Sequence, residues 1–229
     1  MNTAIITGAS RGLGLALTRD LAADGWHVIV DGRDATTLHA AVDLLGPTVL
    51  AIPGDVADAA HRAALVDAAH RRGRLDLLVN NASGLGPSPL PLLADHPLDV
   101  LDDLFRTNVV APLGLIQLAL PLLRASAGAI VDITSDAGVE RYAGWGGYGA
   151  TKAALDQLGN VLAVEEPSVR VWSVDPGDMR TQMHQDAFPG EDISDRPEPE
   201  TVVPAFRRVL VDRPDSGRIR AADLLAVTP

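Results

Sequence analysis

Short apolar runs alternate along the chain with longer stretches that have helical patterning. The short runs predict buried strands and cover residues 4–6, 26–30, 48–52, 75–79, 129–133 and 169–174. The longer stretches predict helices and cover residues 13–23, 35–45, 57–72, 98–123 and 147–164. Strands that alternate with helices indicate a parallel sheet covered on both faces. We therefore expect a single doubly wound α/β domain over residues 1–229, with about seven strands.

Three segments need separate interpretation. The helix over 98–123 contains Pro112, so we expect it to bend there. Residues 178–200 show no clear periodicity, and so long a loop in a compact domain is usually functional. We interpret this segment as a lid over a substrate site. The remaining tail, 202–222, predicts one more helix and a short edge strand.

The composition narrows the classes of function. The 229 residues are 47% apolar and 21% charged, which excludes disorder, and the absence of cysteine excludes disulfides and thiolate metal sites. A formal net charge of −11 would repel nucleic acids and anionic membranes, so we expect neither as a partner. The first residues lack the pattern of a secretory signal. The apolar run 107–123 is short for a membrane span, so we expect a buried helix in a cytoplasmic protein.

A glycine-rich turn, Thr7–Gly14, follows the first predicted strand and opens the first predicted helix. Glycine lets the backbone approach a pyrophosphate closely, and the helix N-terminus supplies amide donors and a positive dipole. The order of strand, glycine turn and helix is typical of dinucleotide binding. An ordinary connection between strand and helix is the alternative.

Tyr148 and Lys152 are four residues apart on a predicted helix, so they lie on the same face. Lys152 is the only lysine in the sequence, and lysine differs from arginine in offering a compact ammonium with a tunable pKa. A neighbouring ammonium favours a phenolate, so we expect the pKa of Tyr148 to lie below its usual value of about 10. An exposed pair on the helix surface is the alternative.

Two other polar residues are candidates for the same site. Ser135 ends the fifth predicted strand, where a parallel sheet places ligands, and its hydroxyl could hold a carbonyl oxygen. A turn or cap serine is the alternative. Asn108 lies inside the long helix, although asparagine is a poor helix former whose side chain needs a partner.

These motifs together resemble the short-chain dehydrogenase/reductase family over nearly the whole chain. They are TGASRGLG at 7–14, NNA at 80–82, Asn108, Ser135, YGATK at 148–152, and Pro176-Gly177 with Thr181. The chain departs from the family pattern at Ser83, where glycine is usual and where we expect only a slight change in the turn. It also departs at the short segment 165–169, which resembles the sepiapterin and benzil reductase branch. The resemblance implies a Rossmann fold and an NAD(P)-dependent oxidoreductase.

The resemblance also implies roles for individual residues. Tyr148 would protonate a carbonyl oxygen, and Lys152 would depress the pKa of that tyrosine and bind the nicotinamide ribose. Ser135 would orient the carbonyl, and Asn108 would hold a water in the proton relay. Asp55-Val56 would contact the adenine, and Pro176-Gly177 with Thr181 the nicotinamide amide. The implied cofactor-binding residues are Gly8, Ser10, Arg11, Gly12, Leu13, Gly14, Arg33, Asp55, Val56, Asn80, Ala82, Tyr148, Lys152, Pro176, Gly177 and Thr181.

The end of the second strand bears on the choice between NADP(H) and NAD(H). Members that prefer NAD commonly place an acid there to bind the ribose 2′-hydroxyl. Alignment by the strand puts Gly32 at that position and Arg33 next to it, so Arg33 and Arg11 would offer guanidinium groups to a 2′-phosphate. We therefore expect NADP(H) to be preferred. If the register slips by one residue, Asp31 meets the ribose and NAD is favoured.

The histidines show no pairing typical of metal ligands, so we expect surface residues and no metal site. They are His27, His39, His61, His70, His96 and His184. His184 lies in the predicted lid and could contact substrate. Trp145 could wall an aromatic pocket, and an ordinary packed indole is the alternative.

We therefore expect an NADPH-dependent reductase acting on a small, apolar ketone or aldehyde. An NAD-dependent alcohol dehydrogenase of the same fold, a dehydratase or epimerase, and a non-catalytic NADP(H)-binding sensor are the alternatives. The family resemblance and the apolar surface of 109–123 lead us to expect a homodimer or homotetramer, formed through the long helix and the Tyr148 helix.

Overall fold

The computed structural model of the protein describes residues 1–226, so the last three residues of the predicted domain lie outside the described residues. A parallel seven-stranded sheet has the order β3-β2-β1-β4-β5-β6-β7. The strands are β1 (Thr3–Ile6), β2 (His27–Gly32), β3 (Val49–Pro53), β4 (Leu77–Asn80), β5 (Ala129–Ile133), β6 (Arg170–Asp175) and β7 (Gly217–Arg220). The strand order reverses between β1 and β4, as in doubly wound folds. The prediction of a Rossmann-like sheet of about seven strands is confirmed.

Helices cover both faces of this sheet. They are α1 (Gly12–Ala23), α2 (Ala35–Val42), α3 (Ala59–Arg72), α4 (Leu98–Phe105), α5 (Ala111–Ser126), α6 (Gly146–Glu165), α7 (Gln182–Ala187), α8 (Val203–Asp212) and α9 (Ala221–Leu225). Successive strand residues point to opposite faces, so Ile5 packs with α3 and α5 whereas Ile6 packs with α1 and α8. Both faces of the strands are therefore apolar, which explains the continuous apolar runs in the sequence.

Polar side chains fix where several helices begin. Asp34 accepts a hydrogen bond from the backbone N–H of Thr37 at 2.7 Å and so starts α2. Asp58 accepts from the N–H of Ala60 at 2.9 Å and starts α3. Gly73, with φ of +75°, ends that helix in the left-handed conformation.

The long helix predicted over 98–123 is interrupted, but not at Pro112. A π-helical turn, Arg106–Val110, separates α4 from α5. Pro112 lies in the first turn of α5, a position where its missing amide is tolerated. The predicted bend near Pro112 is therefore corrected to a π turn just before it, and that turn carries the buried Asn108.

The helical segment Leu98–Ser126 is long and apolar enough to cross a membrane by length and composition alone. It is longer than the apolar run 107–123, for which a buried helix was expected. Its burial is one-sided, because Leu115 and Leu123 pack in the core whereas Val110 and Leu118 are exposed. An amphipathic helix covering a sheet passes the same test of length and composition.

The predicted lid, 178–200, contains the short helix α7, which the sequence pattern did not indicate. The hydroxyl of Thr181 accepts a hydrogen bond from the N–H of His184 at 3.2 Å and so caps this helix. The hydroxyl of Ser88 donates to the carbonyl of Asp186 at 2.7 Å, which ties the segment to the loop after β4. Whether the segment acts as a lid stays a prediction.

Candidate active site

A cleft of about 580 Å³ opens at the carboxyl ends of the strands. It extends from the turn after β2, across the glycine turn after β1, to the loops after β4, β5 and β6. Ligands of doubly wound sheets bind at this edge, where the strand order reverses. The predicted site residues line this cleft, with the exception of Gly14, Asn80 and Asn108.

The glycine turn lies directly against the loop after β4. Gly8 has φ of +68°, and a Cβ atom there would lie 2.8 Å from the Cα of Ala82. A Cβ atom on Gly14 would lie 2.5 Å from the carbonyl oxygen of Gly8. Glycine is therefore required at both positions. Because Gly8 and Gly12 have no side chains, the backbone before the first turn of α1 is exposed to the cleft. This cradle at a helix N-terminus fits the pyrophosphate of a nicotinamide dinucleotide.

The two adjacent asparagines after β4 have different environments. Asn81 donates from Nδ2 to the carbonyl of Thr7 at 2.8 Å and lines the cleft. Asn80 is buried and donates to Oδ1 of Asp132 at 2.8 Å instead. The expectation that Asn80 flanks the cofactor is therefore corrected for its side chain. Asn81 holds the glycine turn, and Asn80 belongs to the core below it.

Tyr148 and Lys152 lie on the same side of α6 and both line the cleft, although both are largely buried. Nζ of Lys152 lies 5.4 Å from the centroid of the Tyr148 ring. It donates a hydrogen bond of 2.8 Å to the carbonyl oxygen of Ile133, at the end of β5. The sequence-based alternative of an exposed pair on the helix surface is therefore wrong.

Burial dominates the protonation of both groups. It raises the pKa of Tyr148 above its usual value, because a buried phenolate is poorly solvated, while the hydroxyls of Ser83 and Ser135 act in the opposite direction. This direction is opposite to the one expected from the spacing of Tyr148 and Lys152. Burial also lowers the pKa of Lys152 to about 8. The phenol is therefore held in its protonated form at neutral pH.

A buried carboxylate interacts electrostatically with the ammonium of Lys152. Asp132, on β5, is fully buried, and burial raises its pKa to about 6. The hydrogen bond from Asn80 and the charge of Lys152 act in the opposite direction. Asp132 and Asp156 each favour the charged form of Lys152. This carboxylate was not predicted, because an isolated Asp in an apolar strand carries no motif.

Ser135 and Asn108 are placed differently from each other. The hydroxyl of Ser135 lines the cleft, accepts from the N–H of Ala137 at 3.2 Å and so also caps a short turn. The Asn108 side chain instead bonds protein groups. Its Oδ1 accepts from the N–H of Gly84 at 2.7 Å, and its Nδ2 donates to Oγ1 of Thr151 at 3.0 Å. Asn108 therefore joins the loop after β4 to α6, and its role with a relay water stays a prediction.

Ser83 has a larger role than the slight change in the turn that we expected. Its hydroxyl donates to Oδ1 of Asn108 at 3.1 Å and lies in the cleft. The same hydroxyl is one of the groups that lower the pKa of Tyr148. The departure from the family's glycine at this position was the available signal, and it marks a third hydroxyl beside Tyr148 and Ser135.

Asp31 lines the cleft, and its carboxylate is bonded to protein groups. Its Oδ1 accepts from the N–H of Gly8 at 2.7 Å, and its Oδ2 lies 3.0 Å from Nε2 of His61. Both side chains are buried. The expectation that His61 is a surface residue is therefore wrong, since Gly54 leaves the space that its ring occupies.

The far end of the cleft carries the remaining predicted groups near the second and third strands. Arg33, just beyond β2, is exposed and lines the cleft. Asp55 accepts from the N–H of Ala57 at 2.8 Å, and the carbonyl of Val56 accepts from Arg62 at 2.6 Å. These bonds shape the turn after β3 into one wall of the cleft.

The near end is formed by the loop after β6. Asp175 accepts from the N–H of Gly177 at 3.0 Å and holds the turn in which Gly177 has φ of +76°. The methyl of Thr181 would lie 3.5 Å from a Cβ atom on Gly12, so this loop meets the glycine turn across the cleft. The sequence-predicted Pro176, Gly177 and Thr181 are therefore brought together at this end.

Aromatic rings form an apolar wall beside Tyr148. Trp145 contacts the Tyr148 ring edge-on at 5.8 Å between centroids and the Phe188 ring at 5.9 Å. The ring of His184 lies 4.9 Å from that of Phe188. Both His184 and Trp145 line the cleft. Within residues 1–226, no group of three or more His, Asp or Glu side chains is arranged to hold a metal ion.

Comparisons with known proteins agree with this geometry. The model of the short chain dehydrogenase family matches residues 2–192. The chain is 36% identical over 196 residues to the (S)-benzoin-forming benzil reductase of Saccharomyces cerevisiae, covering 80% of this chain and 73% of that protein. It is 34% identical over 197 residues to sepiapterin reductase of Mus musculus, covering 79% and 76%.

The structural comparison points the same way. A short chain dehydrogenase of Shigella flexneri, solved in complex with NADP, superposes with a TM-score of 0.90 at 28% identity, covering 96% of this chain and 97% of that one. The fold and the site therefore identify the protein as a nicotinamide-dependent oxidoreductase. It belongs to the short-chain dehydrogenase/reductase family. The predicted likeness to the sepiapterin and benzil reductases agrees with these relatives.

The buried ammonium can be observed directly, because the chain has one lysine. In protein labelled with carbon-13 lysine, we expect the Cε signal of Lys152 to titrate near pH 8, below the ordinary value of about 10.4. Asp132→Asn should lower the midpoint further, because it removes a charge that favours the ammonium. Exposed Asp67→Asn, on α3, serves as control. A midpoint at or above pH 10 would contradict the geometry.

Proposed function

We propose that this protein reduces a small, apolar ketone or aldehyde with NADPH. One observation carries the proposal: Tyr148, Ser135 and Lys152 lie together in the cleft that also contains the glycine turn. The bound nicotinamide would supply the hydride. The protein supplies the proton, the positive charge and the position of the carbonyl.

Each side chain has a defined task in this reaction. Ser135 would donate a hydrogen bond to the carbonyl oxygen and hold it beside Tyr148. The Tyr148 hydroxyl would donate its proton to the same oxygen as negative charge develops there. Lys152 would stabilise the phenolate that remains, because its ammonium is fixed by the Ile133 carbonyl within reach of the ring. The Ser83 hydroxyl, which donates to Oδ1 of Asn108 in this structure, would turn its single hydrogen to that phenolate.

Tyr148 is in the form that reduction requires at its start. Burial raises the pKa of this tyrosine, so its hydroxyl carries the proton at neutral pH, and the same burial makes it a weaker acid. Proton donation therefore depends on groups that stabilise the phenolate, as Lys152 and the Ser135 hydroxyl would do. The reductive direction is proposed because cells generally keep NADP reduced.

Three observations support NADP(H) over NAD(H). Asp31 uses both carboxylate oxygens for Gly8 and His61, which makes this acid less available to a ribose 2′-hydroxyl. Arg33 and Arg11 both line the cleft and would pair with a 2′-phosphate. The Shigella flexneri relative was solved with NADP.

The wall beside Tyr148 supports an apolar substrate. Leu85, Trp145, Met183 and Phe188 belong to the same apolar cluster as the tyrosine ring. The nearby segment is acidic, with Asp178 and Asp186 lining the cleft, and would repel a polyanionic substrate. A flat or aromatic carbonyl compound fits such a wall, and the names of the benzil and sepiapterin reductases agree with this choice.

We also propose that the protein self-associates through α5 and α6. Exposed apolar side chains on these helices include Val110 just before α5, Leu118 on α5, and Val161 and Val164 on α6. Apolar surface on two adjacent helices is suited to a symmetric interface.

Removal of the Tyr148 hydroxyl should abolish catalysis. We expect Tyr148→Phe to lower kcat for reduction about 10²- to 10⁴-fold, because the acid is lost while the ring still packs. The assay follows NADPH absorbance with diketones, aryl ketones, quinones, pterins and aldehydes. Tyr142→Phe, the other tyrosine and an exposed one, is the control. Equal rates in Tyr148→Phe and the parent protein would refute the proposed acid.

Arg33→Ala should weaken NADPH binding selectively. We expect its Kd for NADPH to rise about 10- to 100-fold, as for loss of a charged hydrogen bond, with little change for NADH. The measurement is quenching of protein fluorescence by each cofactor. Arg71→Ala, an exposed residue of α3, is the control. A parent protein that binds NADH more tightly than NADPH would overturn the preference.

Sedimentation at micromolar concentration should give a mass of two or four chains. Val164→Glu, which places a charge on the exposed apolar surface of α6, should shift this mass toward the monomer. Val211→Glu, an equally exposed position on α8, is the control. A monomer mass for the parent protein would remove the proposal of self-association.

A further inference from the structure

Arg218 joins three elements of the active site from outside the family motifs. It lies on β7, the strand next to β6, and its guanidinium reaches toward the strand ends. Nη2 donates to the carbonyl oxygen of Ser135 at 3.1 Å and to Oδ2 of Asp175 at 3.0 Å. Nε donates to Oδ2 of Asp156 at 3.3 Å. One side chain therefore holds the end of β5, the end of β6 and helix α6.

Each of these partners is next to a group of the proposed reaction. Ser135 itself carries the carbonyl-binding hydroxyl. Asp175 also accepts from the N–H of Gly177 and so shapes the loop at the nicotinamide end. Asp156 lies one helical turn beyond Lys152 and favours its charged form. The distances among these groups depend on where Arg218 holds their backbones.

The guanidinium also balances charge that would otherwise be buried alone. The side chains of Asp156 and Asp175 are only 10% and 7% exposed, and that of Arg218 is 24% exposed. Oδ1 of Asp156 has no hydrogen-bond partner within the described residues, so this carboxylate depends on its ion pair. Removing one partner of such a pair is strongly unfavourable, because an uncompensated buried charge remains.

We propose that Arg218 is a positioning residue that sets the relative placement of Ser135, Lys152 and the Gly177 loop and balances the carboxylates of Asp156 and Asp175. The roles of these three groups rest on the proposed function. The ion pairs of Arg218 and their electrostatic effect on Lys152 do not depend on the proposed function.

Arginine suits this position better than lysine would. The planar guanidinium offers donors in several fixed directions, so it binds the carbonyl of Ser135 and two carboxylates at once. An ammonium would keep the charge but could not hold all three partners at these angles. Charge and geometry can therefore be separated by substitution.

The charged groups that face Lys152 define the electrostatic test. Asp132 and Asp156 favour its ammonium, burial disfavours it, and Arg218 pairs with Asp156. Replacing Arg218 with a neutral residue leaves the field of Asp156 at Lys152 uncompensated. The titration midpoint of Lys152 should therefore move to higher pH. Loosening of the fold would also raise the midpoint, because burial is the main cause of its low value. Additional neutralisation of Asp156 separates the two causes: a midpoint that stays raised in that double variant would indicate loosening and overturn the electrostatic role.

The experiment uses the full chain with Arg218→Gln and Arg218→Lys, and with the exposed neighbour Arg220→Gln as control. We expect Arg218→Gln to lower kcat about 10- to 100-fold, as for a small misplacement of reacting groups. It should also raise the carbon-13 midpoint of Lys152 by at least half a pH unit, roughly a threefold change in proton affinity. Arg218→Lys should keep the midpoint near that of the parent protein but still lose kcat.

A compensating variant separates electrostatics from folding. Arg218→Gln combined with Asp156→Asn should return the Lys152 midpoint to or below the parent value, because both charges are removed together. A lower Tm with unchanged kcat and unchanged midpoint would overturn the proposal and leave a purely structural role. If Arg218→Gln does not fold, Arg218→Lys decides: parent kcat in a folded protein would equally overturn it. The Lys152 titration needs no turnover, so failure of the proposed reductase activity is recognised separately.

Discussion

The burial of the Lys152 ammonium constrains the arrangement around the cleft. A cation removed from water loses several kcal/mol of solvation, which only close partners can offset. The carbonyl of Ile133 accepts its hydrogen bond, and the carboxylates of Asp132 and Asp156 supply opposite charge. These interactions of the ammonium, together with apolar packing, therefore fix the distance between the carboxyl end of β5 and the middle of α6.

These partners in turn require partners of their own. Asp132 is stabilised by Asn80 at the end of β4, and Asp156 by Arg218 on β7. A set of interacting polar groups thus runs beneath the cleft from β4 to β7, inside a sheet whose faces are largely apolar. Such a set is rigid because displacement of one member leaves another buried group unpaired. Precise placement of Tyr148 and Ser135 above it follows from that rigidity.

The sequence predicted the features that depend on local spacing. Alternation of strands and helices was sufficient for the sheet, and the spacing of Tyr148 and Lys152 was sufficient for their common face. It could not decide which of Asn80 and Asn81 faces the cleft, because adjacent residues at a strand end point in opposite directions and the exact end was unknown. The sequence also could not predict whether the pKa of Tyr148 is raised or lowered, because spacing reveals a neighbouring charge but not the extent of burial.

Contacts between distant parts of the chain also could not be predicted from the sequence. Asp31 with His61, Ser83 with Asn108, and Arg218 with Ser135 each join segments that no periodic pattern relates. Ser83 was visible only as a departure from the family's glycine. His61 was assigned to the surface because a lone histidine gives no sign that a glycine elsewhere, Gly54, leaves room for its ring.

The π turn at Arg106–Val110 limits how this helix can change in length. A π turn accommodates one additional residue while the helical faces on either side keep their orientation. Loss of one residue within Arg106–Val110 would therefore convert the turn into regular helix and leave the buried face of α5 in place. Loss of a residue within α5 itself would rotate everything beyond it by about 100°. Leu123 would then turn away from the core, so the core packing of α5 tolerates the loss of a residue in this turn better than the loss of one between Leu115 and Leu123.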